Sequence, residues 1–287
     1  MTVHVFYHGS DFDGICSAAI VYRATFMNTP DLRLYPINYG DDFPWGEINK
    51  DDEVVMVDFA LQPYELMLKL QEKVAKVTWI DHHKTAIESQ HLVHCGLPGK
   101  REIGTAACEL TWEYYEPDWP MPKVVRLLGR YDVWDHEDEN TLPFQYAARM
   151  DKRLQDPKAA LWQELFLGGG NAVENMLISG RYILDYIRQE NEKYATTMFE
   201  LEWKGLRFLV ANRCLANSLV FESRYNPEKH DAMMAFGFYR NKWCFSLYSD
   251  KPEIDVSSIA VEMGGGGHKG AAGFSAAELP FELPKKR

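Results

Sequence analysis

The sequence predicts an α/β protein in which a parallel sheet is followed, through a helical connector, by a smaller α+β domain. Two observations predict it. In the first half, short apolar runs alternate with amphipathic segments, the pattern that builds a parallel sheet covered by helices. In the last third, strand-like runs dominate, and two of them meet around Arg240-Asn241. A length of 287 residues suits two domains.

The elements follow in order. VHVFY (3–7) is strand-like, and DGICSAAIVYRAT (13–25) reads as a helix with Ile15, Ala18, Ala19 and Tyr22 near one face. EVVMVDFA (53–60) is a β-branched run suited to a buried strand. PYELMLKLQEKV (63–74) is helical, with Pro63 near its start, where proline is tolerated. KVTWID (76–81) is a strand and GTAACELTWEYY (104–115) a helix. After LGGGN (167–171) the chain is polar and helix-prone. These readings divide it into a first domain at 1–175, a helical connector at 176–202 and a second domain at 203–287. In the second domain RFLVA (207–211), AMMAFGFYR (232–240) and KWCFSLYS (242–249) are strands, the last two a hairpin. The tail FELPKKR reads as a frayed end, and no internal repeat or low-complexity tract is present.

Hydrophobic residues make up 46% of the chain, enough for a core. The net charge of −11 argues against a protein that coats nucleic acid, because phosphate binding needs Lys/Arg surface. It is compatible with a small anionic substrate held through metal ions. The five cysteines (Cys16, Cys95, Cys108, Cys214 and Cys244) are odd in number and form no CxxC, so neither a disulfide framework nor a zinc knuckle is expected. MTVHVFYHGS has neither a basic region nor a long apolar run, and no stretch reaches the ~20 apolar residues of a membrane span. The expected setting is a reducing cytoplasm, with no membrane partner.

Three strands in the first half run into acidic or histidine residues. VHVFY leads to His8, Asp11 and Asp13; EVVMV to Asp58; KVTWI to Asp81, His82 and His83. Asp132 in LLGRYDVWDH (127–136), with Asp135 beside it, is a fourth contributor. Ligands of an open parallel sheet bind beyond the carboxyl ends of its strands, so these stretches are expected to share one crevice. Carboxylates so close cannot all stay ionised without compensation. Two divalent cations solve the problem, and carboxylates with imidazoles suit Mn²⁺ or Mg²⁺. Asp58 could bridge them, and a water clamped between them would be acidified to attack phosphorus. Singly, each residue has an ordinary reading: His8 as a packed or capping histidine, Asp11 and Asp13 as turn and N-cap residues, Asp58 as a turn former, His82-His83 as a solvated pair. Together those readings need four coincidences at strand ends.

The second cluster is MGGGGHKGAAGF (263–274). Consecutive glycines let backbone N–H groups approach an anion closely, and His268 and Lys269 add donors and charge. KGAAG could begin a helix whose N-terminus faces the same anion. The alternative is a flexible linker, disfavoured because apolar segments flank the run.

With HGSDFDG (8–14), VVMVD (54–58), IDHH (80–83) and GGGGHKGAAGF (264–274) in that order, the chain resembles the DHH phosphoesterase superfamily, in the subgroup with a C-terminal DHHA1 domain. The resemblance spans essentially the whole chain. NYGD (38–41), GTAACEL (104–110) and RYDVWD (130–135) make it most similar to the nano-RNase group, in the branch of oligoribonucleases and cyclic-nucleotide phosphodiesterases. It implies a DHH domain joined by a helical linker to a DHHA1 domain, with the active site in the cleft between them. It also implies two Mn²⁺ ions: His8 and Asp11 on one, Asp13, His82 and Asp132 on the other, Asp58 bridging. Asp81 and His83 would be catalytic, Asp81 supporting the site and His83 contacting the scissile phosphate. Gly265, Gly266, Gly267 and His268 would grip the substrate's other end. Thr105 would touch phosphate or simply cap a helix. Two departures stand out. The spacing from His8 to Asp11 differs from that of many relatives, and Tyr248 stands where many carry an arginine. Tyr248 is then a base-stacking residue or a plain strand aromatic.

The expected activity is Mn²⁺-dependent hydrolysis of short oligonucleotides to nucleoside monophosphates, by an enzyme without a track for long nucleic acid that could form a homodimer. The alternatives are a phosphodiesterase of cyclic nucleotides, cyclic dinucleotides or their linear products, a phosphatase of 3′-phosphoadenosine 5′-phosphate, a polyphosphatase, and a non-enzymatic nucleotide-binding module.

Overall fold

In the computed structural model of the chain, residues 1–26, 29, 31–92, 96–168 and 171–283 are described, without the side chains of residues 91 and 92. Cys95, two of the glycines of LGGGN and the last four residues lie outside them. The chain divides into two compact units, 1–184 and 185–287.

The first unit holds a four-stranded, wholly parallel sheet of β1 (Val3–His8), β2 (Leu32–Ile37), β3 (Glu53–Val57) and β4 (Lys76–Ile80), in the order β2-β1-β3-β4. Strand residues alternate between two cores. Val5, Tyr7, Val55 and Val57 pack into one, together with α1 (Phe12–Thr25), α4 (Ala107–Tyr115), α5 (Lys123–Asp132), α6 (Thr141–Met150) and α7 (Ala160–Leu167). Phe6, Val54, Met56 and Trp79 pack into the other, with α2 (Glu65–Lys73). Burial on both faces is why VHVFY and EVVMV read as unbroken apolar runs. From β1 the chain goes to β2 on one side and then returns to β3 on the other. The topological switch point therefore lies between the carboxyl ends of β1 and β3, where a sheet of this kind binds its ligand. A further helix, α3 (Lys84–Leu92), follows β4.

The division between units falls within the long helix α8 (Ala172–Ala195). The expected connector at 176–202 is helical only to Ala195. Its last residues enter β5 (Phe199–Trp203), because FELEW alternates and turns Phe199, Leu201 and Trp203 onto the core of the second unit. That unit is a six-stranded sheet, β5-β6-β7-β8-β10-β9, adding β6 (Leu206–Asn212), β7 (Ala232–Tyr239), β8 (Lys242–Tyr248), β9 (Gly266–His268) and β10 (Ala271–Ala276). β6 and β7 are parallel and the other pairs antiparallel, with the expected β7–β8 hairpin turning at Arg240 and Asn241, both of positive φ. Helix α9 (Val256–Glu262) covers one face through Val256, Ile259 and Ala260.

Two expectations for this unit are corrected. KGAAG does not begin a helix: it forms the turn and first residues of the β9–β10 hairpin, with Ala271 opposite His268. The glycines before it serve that pairing. A Cβ on Gly265 would lie 2.1 Å from the Gly273 carbonyl oxygen, and one on Gly267 2.5 Å from Ala272 Cα. Nor does the tail fray from its start, since the Phe281 ring packs against Phe236 at 5.6 Å and Phe245 at 6.0 Å.

Candidate metal centre

The loop after β1 is built by a tight approach. Helix α1 starts so close to the end of β1 that a Cβ on Gly14 would lie 2.1 Å from the His8 carbonyl oxygen. Asp11 caps the helix, accepting from Gly14 N at 3.1 Å. The turn-and-cap reading of Asp11 is thus correct, but the residue does more: its Oδ2 also lies 2.9 Å from His8 Nδ1. Asp58, one residue beyond β3, has φ 55°, a left-handed backbone that Asp adopts more readily than most residues. This turn aims its buried carboxylate at the switch point, 3.6 Å from His8 Nδ1.

From the end of β4, His82 Nε2 lies 3.7 Å from Asp13, 3.4 Å from Asp58 and 3.3 Å from Asp132. Three donor sets result: His8, Asp11 and Asp58; Asp13, His82 and Asp132; and Asp58, His82 and His83. The first two are the expected ligand groups, and Asp58 adjoins both. Asp81 is fully buried behind them. It accepts from the backbone N–H groups of His82 (2.7 Å) and His83 (3.0 Å) and from Trp79 Nε1 (3.1 Å), and it lies 2.7 Å from His83 Nδ1. Asp81 therefore fixes the His82–His83 backbone and orients the His83 ring.

The electrostatics are those of crowded acids. Burial, then the charge of Asp13, pushes the Asp58 carboxyl well above the usual carboxylate range, and the same two causes act on Asp132. His82 is raised as well: burial opposes its charged form, but Asp13, Asp132 and Asp81 outweigh it. The carboxylates of Asp11 and Asp58 beside its ring push His8 up to about 10. Among the described residues, none forms a hydrogen bond with the buried Asp58 Oδ1. These residues fit divalent cations. Donor atoms about 3 Å apart are what neighbouring ligands around a metal at ~2.1 Å require, and no thiolate is among them.

The other expected residues lie as follows. Thr105 is not the cap of α4; Ala106 holds that position without a side-chain bond, and Thr105 Oγ1 donates to Glu102. The cap comes from far away in sequence. Asp13 accepts from Ala107 N at 2.8 Å and Cys108 N at 2.7 Å, using both oxygens. Gly265, Gly266, Gly267 and His268 are exposed in the second unit. Tyr248 is tied into its sheet, its hydroxyl donating to the Ala216 carbonyl at 2.9 Å. Sequence reasoning assigned no role to Tyr39, although NYGD was noted. Its ring lies 5.9 Å from that of His8 and 6.1 Å from that of His83. The turn composition after β2 was the available signal.

Residues 2–142 match the model of the DHH family, N-terminal domain. The chain is 25% identical over 316 residues to the uncharacterized protein R106 of Acanthamoeba polyphaga mimivirus, covering 97% of this chain and 69% of that protein. It is 24% identical over 314 residues to the oligoribonuclease NrnB of Bacillus subtilis (strain 168), covering 98% of this chain and 74% of that protein. Among solved structures it resembles an exopolyphosphatase-related protein from Bacteroides fragilis. The TM-score is 0.51 at 13% identity, over 98% of this chain and 88% of the other, a likeness of fold.

Proposed function

Because the chain belongs through residues 2–142 to the DHH family and is a metal-dependent phosphoesterase, we propose that it hydrolyses short oligonucleotides to nucleoside monophosphates with two Mn²⁺ ions. The observation that carries this reading is the convergence of two donor triads on Asp58. The relative NrnB, an oligoribonuclease, supports the substrate class. Bound to the triads, the cations supply an acidified water and positive charge against the phosphoryl oxygens.

The chain's own residues do the rest. His8 and Asp11 hold one cation, and Asp13, His82 and Asp132 the other. Asp58 would join the triads, its carboxylate lying 3.6 Å from His8 and 3.4 Å from His82. Asp81 holds His83 Nδ1, so Nε2 is the atom that His83 presents to the scissile phosphate. Gly265, Gly266, Gly267 and His268 take the far end of the substrate, and Thr105, its hydroxyl turned from Glu102, contacts phosphate. The net charge of −11 favours a substrate of few phosphates over a long polymer.

The test is product analysis with Mn²⁺. A 5′-labelled RNA dinucleotide, a longer RNA, cyclic di-AMP, cyclic AMP and 3′-phosphoadenosine 5′-phosphate are offered in parallel. Preferred conversion of the dinucleotide to monophosphates supports the reading. Preference for a cyclic substrate moves the enzyme to signal degradation, and silence on all five with metal bound overturns both.

A further inference from the structure

A cavity of about 160 Å³ in the first unit adjoins the donor triads. Its lining takes Asp11, Asp13 and Asp132 from them and adds Tyr131, Gln145 and Arg149. Sites for whole ligands usually enclose about 300–1,000 Å³, so this one suits a single moiety of a larger substrate.

Two side chains give the cavity its chemistry. Gln145 is 3% exposed, and its Oε1 is buried with no hydrogen-bond partner among the described residues. A buried acceptor left unpaired is costly, which calls for a donor from outside the chain. Arg149 stands four residues on in α6, on the same helix face. Its guanidinium is held by the Tyr131 hydroxyl at 2.9 Å and lies 5.3 Å from the Tyr131 ring centroid and 5.6 Å from that of Tyr146. In a chain of net charge −11, the polar contact of this cation among the described residues is a neutral hydroxyl rather than a carboxylate. Arg149 is exposed, and an arginine oriented in this way is suited to phosphate oxygens.

With a scissile phosphate at the triads, the group that reaches an adjoining cavity first is the sugar bonded to it. On the 3′-oxygen side, that sugar carries its 2′-hydroxyl on the carbon next to the scissile linkage. We propose that the cavity is a ribose subsite, in which Gln145 pairs with this 2′-hydroxyl while Arg149 holds an oxygen of the same nucleotide's phosphate. The proposal rests on the phosphodiesterase reading and deepens it: the enzyme selects RNA fragments over DNA fragments. An amide and a hydroxyl each donate and accept, so the pair forms in either orientation of the Gln145 amide.

The test is calorimetric binding of adenosine 3′-monophosphate and 2′-deoxyadenosine 3′-monophosphate to the Mn²⁺-loaded protein. Wild type binds the ribonucleotide about tenfold tighter, the worth of one good hydrogen bond. In Gln145→Met the ratio falls towards one, and in Arg149→Met both ligands weaken together. A wild-type ratio near one overturns the proposal, as does a preference that survives in Gln145→Met. Hydrolysis of bis(4-nitrophenyl) phosphate by the wild type, a diester without sugar, separately tests the phosphodiesterase reading. Cleavage with a ratio near one removes the subsite alone, whereas no cleavage removes the reading.

Discussion

Asp13, in the first turn of α1, accepts a hydrogen bond at 2.7 Å from the backbone N–H of Cys108, 95 residues away, and a second from Ala107. One carboxylate thereby caps α4 and stands in a donor triad with His82 and Asp132. Asp13→Ala removes both roles. Loss of the cap costs about 1–2 kcal/mol in metal-free protein. Asp13→Asn keeps one acceptor and costs less, but also loses tight binding of the second cation. Chemical unfolding in chelator, beside a metal titration, separates the two effects.

Asp58→Asn tests the bridge. Asn tolerates the positive φ of this position and removes a charge that burial and Asp13 disfavour. The metal-free variant unfolds at a higher temperature than wild type, by roughly 2–4 °C for each kcal/mol of repulsion relieved. The rise in melting temperature that Mn²⁺ gives the wild type disappears, together with nearly all turnover. A variant that keeps both cations and its activity removes Asp58 from the centre of the mechanism.

The chelated protein should lose stability as pH rises. Asp58 and Asp132 have carboxyls raised above the ~3.9 of an unfolded Asp, so the folded state binds more protons and the slope is negative. His8, raised to about 10 by Asp11 and Asp58, acts in the same direction between its unfolded value of ~6.5 and about 10. Thermal melts across that window should decline with chelator present and run flatter with saturating Mn²⁺, because ligation holds the deprotonated forms. A rising midpoint in chelator contradicts this account.

Gly14→Ala places a methyl group against the His8 carbonyl, with no flexible side chain to give way. Helix α1 must shift, at about 1–3 kcal/mol, and His8, Asp11 and Asp13 lose register. The denaturant midpoint and the Mn²⁺ affinity should fall together.

His268→Ala tests the second unit. Its main effect should be a higher KM for the dinucleotide with kcat little changed, since His268 is assigned to binding and not to the reacting bond. An unchanged kinetic profile removes the glycine run from the substrate site.

The alternation of apolar runs and helical segments was sufficient to read the parallel sheet, because a strand buried on both faces must be apolar throughout. The residues that follow β1, β3 and β4 were legible as a group for a related reason: in a parallel sheet every carboxyl end opens on the same side. Less was legible where a residue's job depends on distant backbone. Nothing near Asp13 announces that it caps α4, and nothing in FQYAAR marks Gln145 as an unpaired acceptor beside the triads. KGAAG carried a helix-start signal, but strand pairing with β8 outweighed local preference.

The sequence by itself determined which residues carry ligand chemistry and that all but Asp132, which ends helix α5, follow the strands of the parallel sheet. Local physics suffices there: hydrophobic period, turn residues and charge are all properties of short stretches. Only the tertiary structure decided the distances among them, which bring the groups that the resemblance implies within reach of one another, with Asp58 3.6 Å from His8 and 3.4 Å from His82 and Asp81 behind. Those distances depend on strand order. The step from β1 outward to β2 and back to β3 places the switch point between them, and pairing over some fifty residues is not written in any one segment.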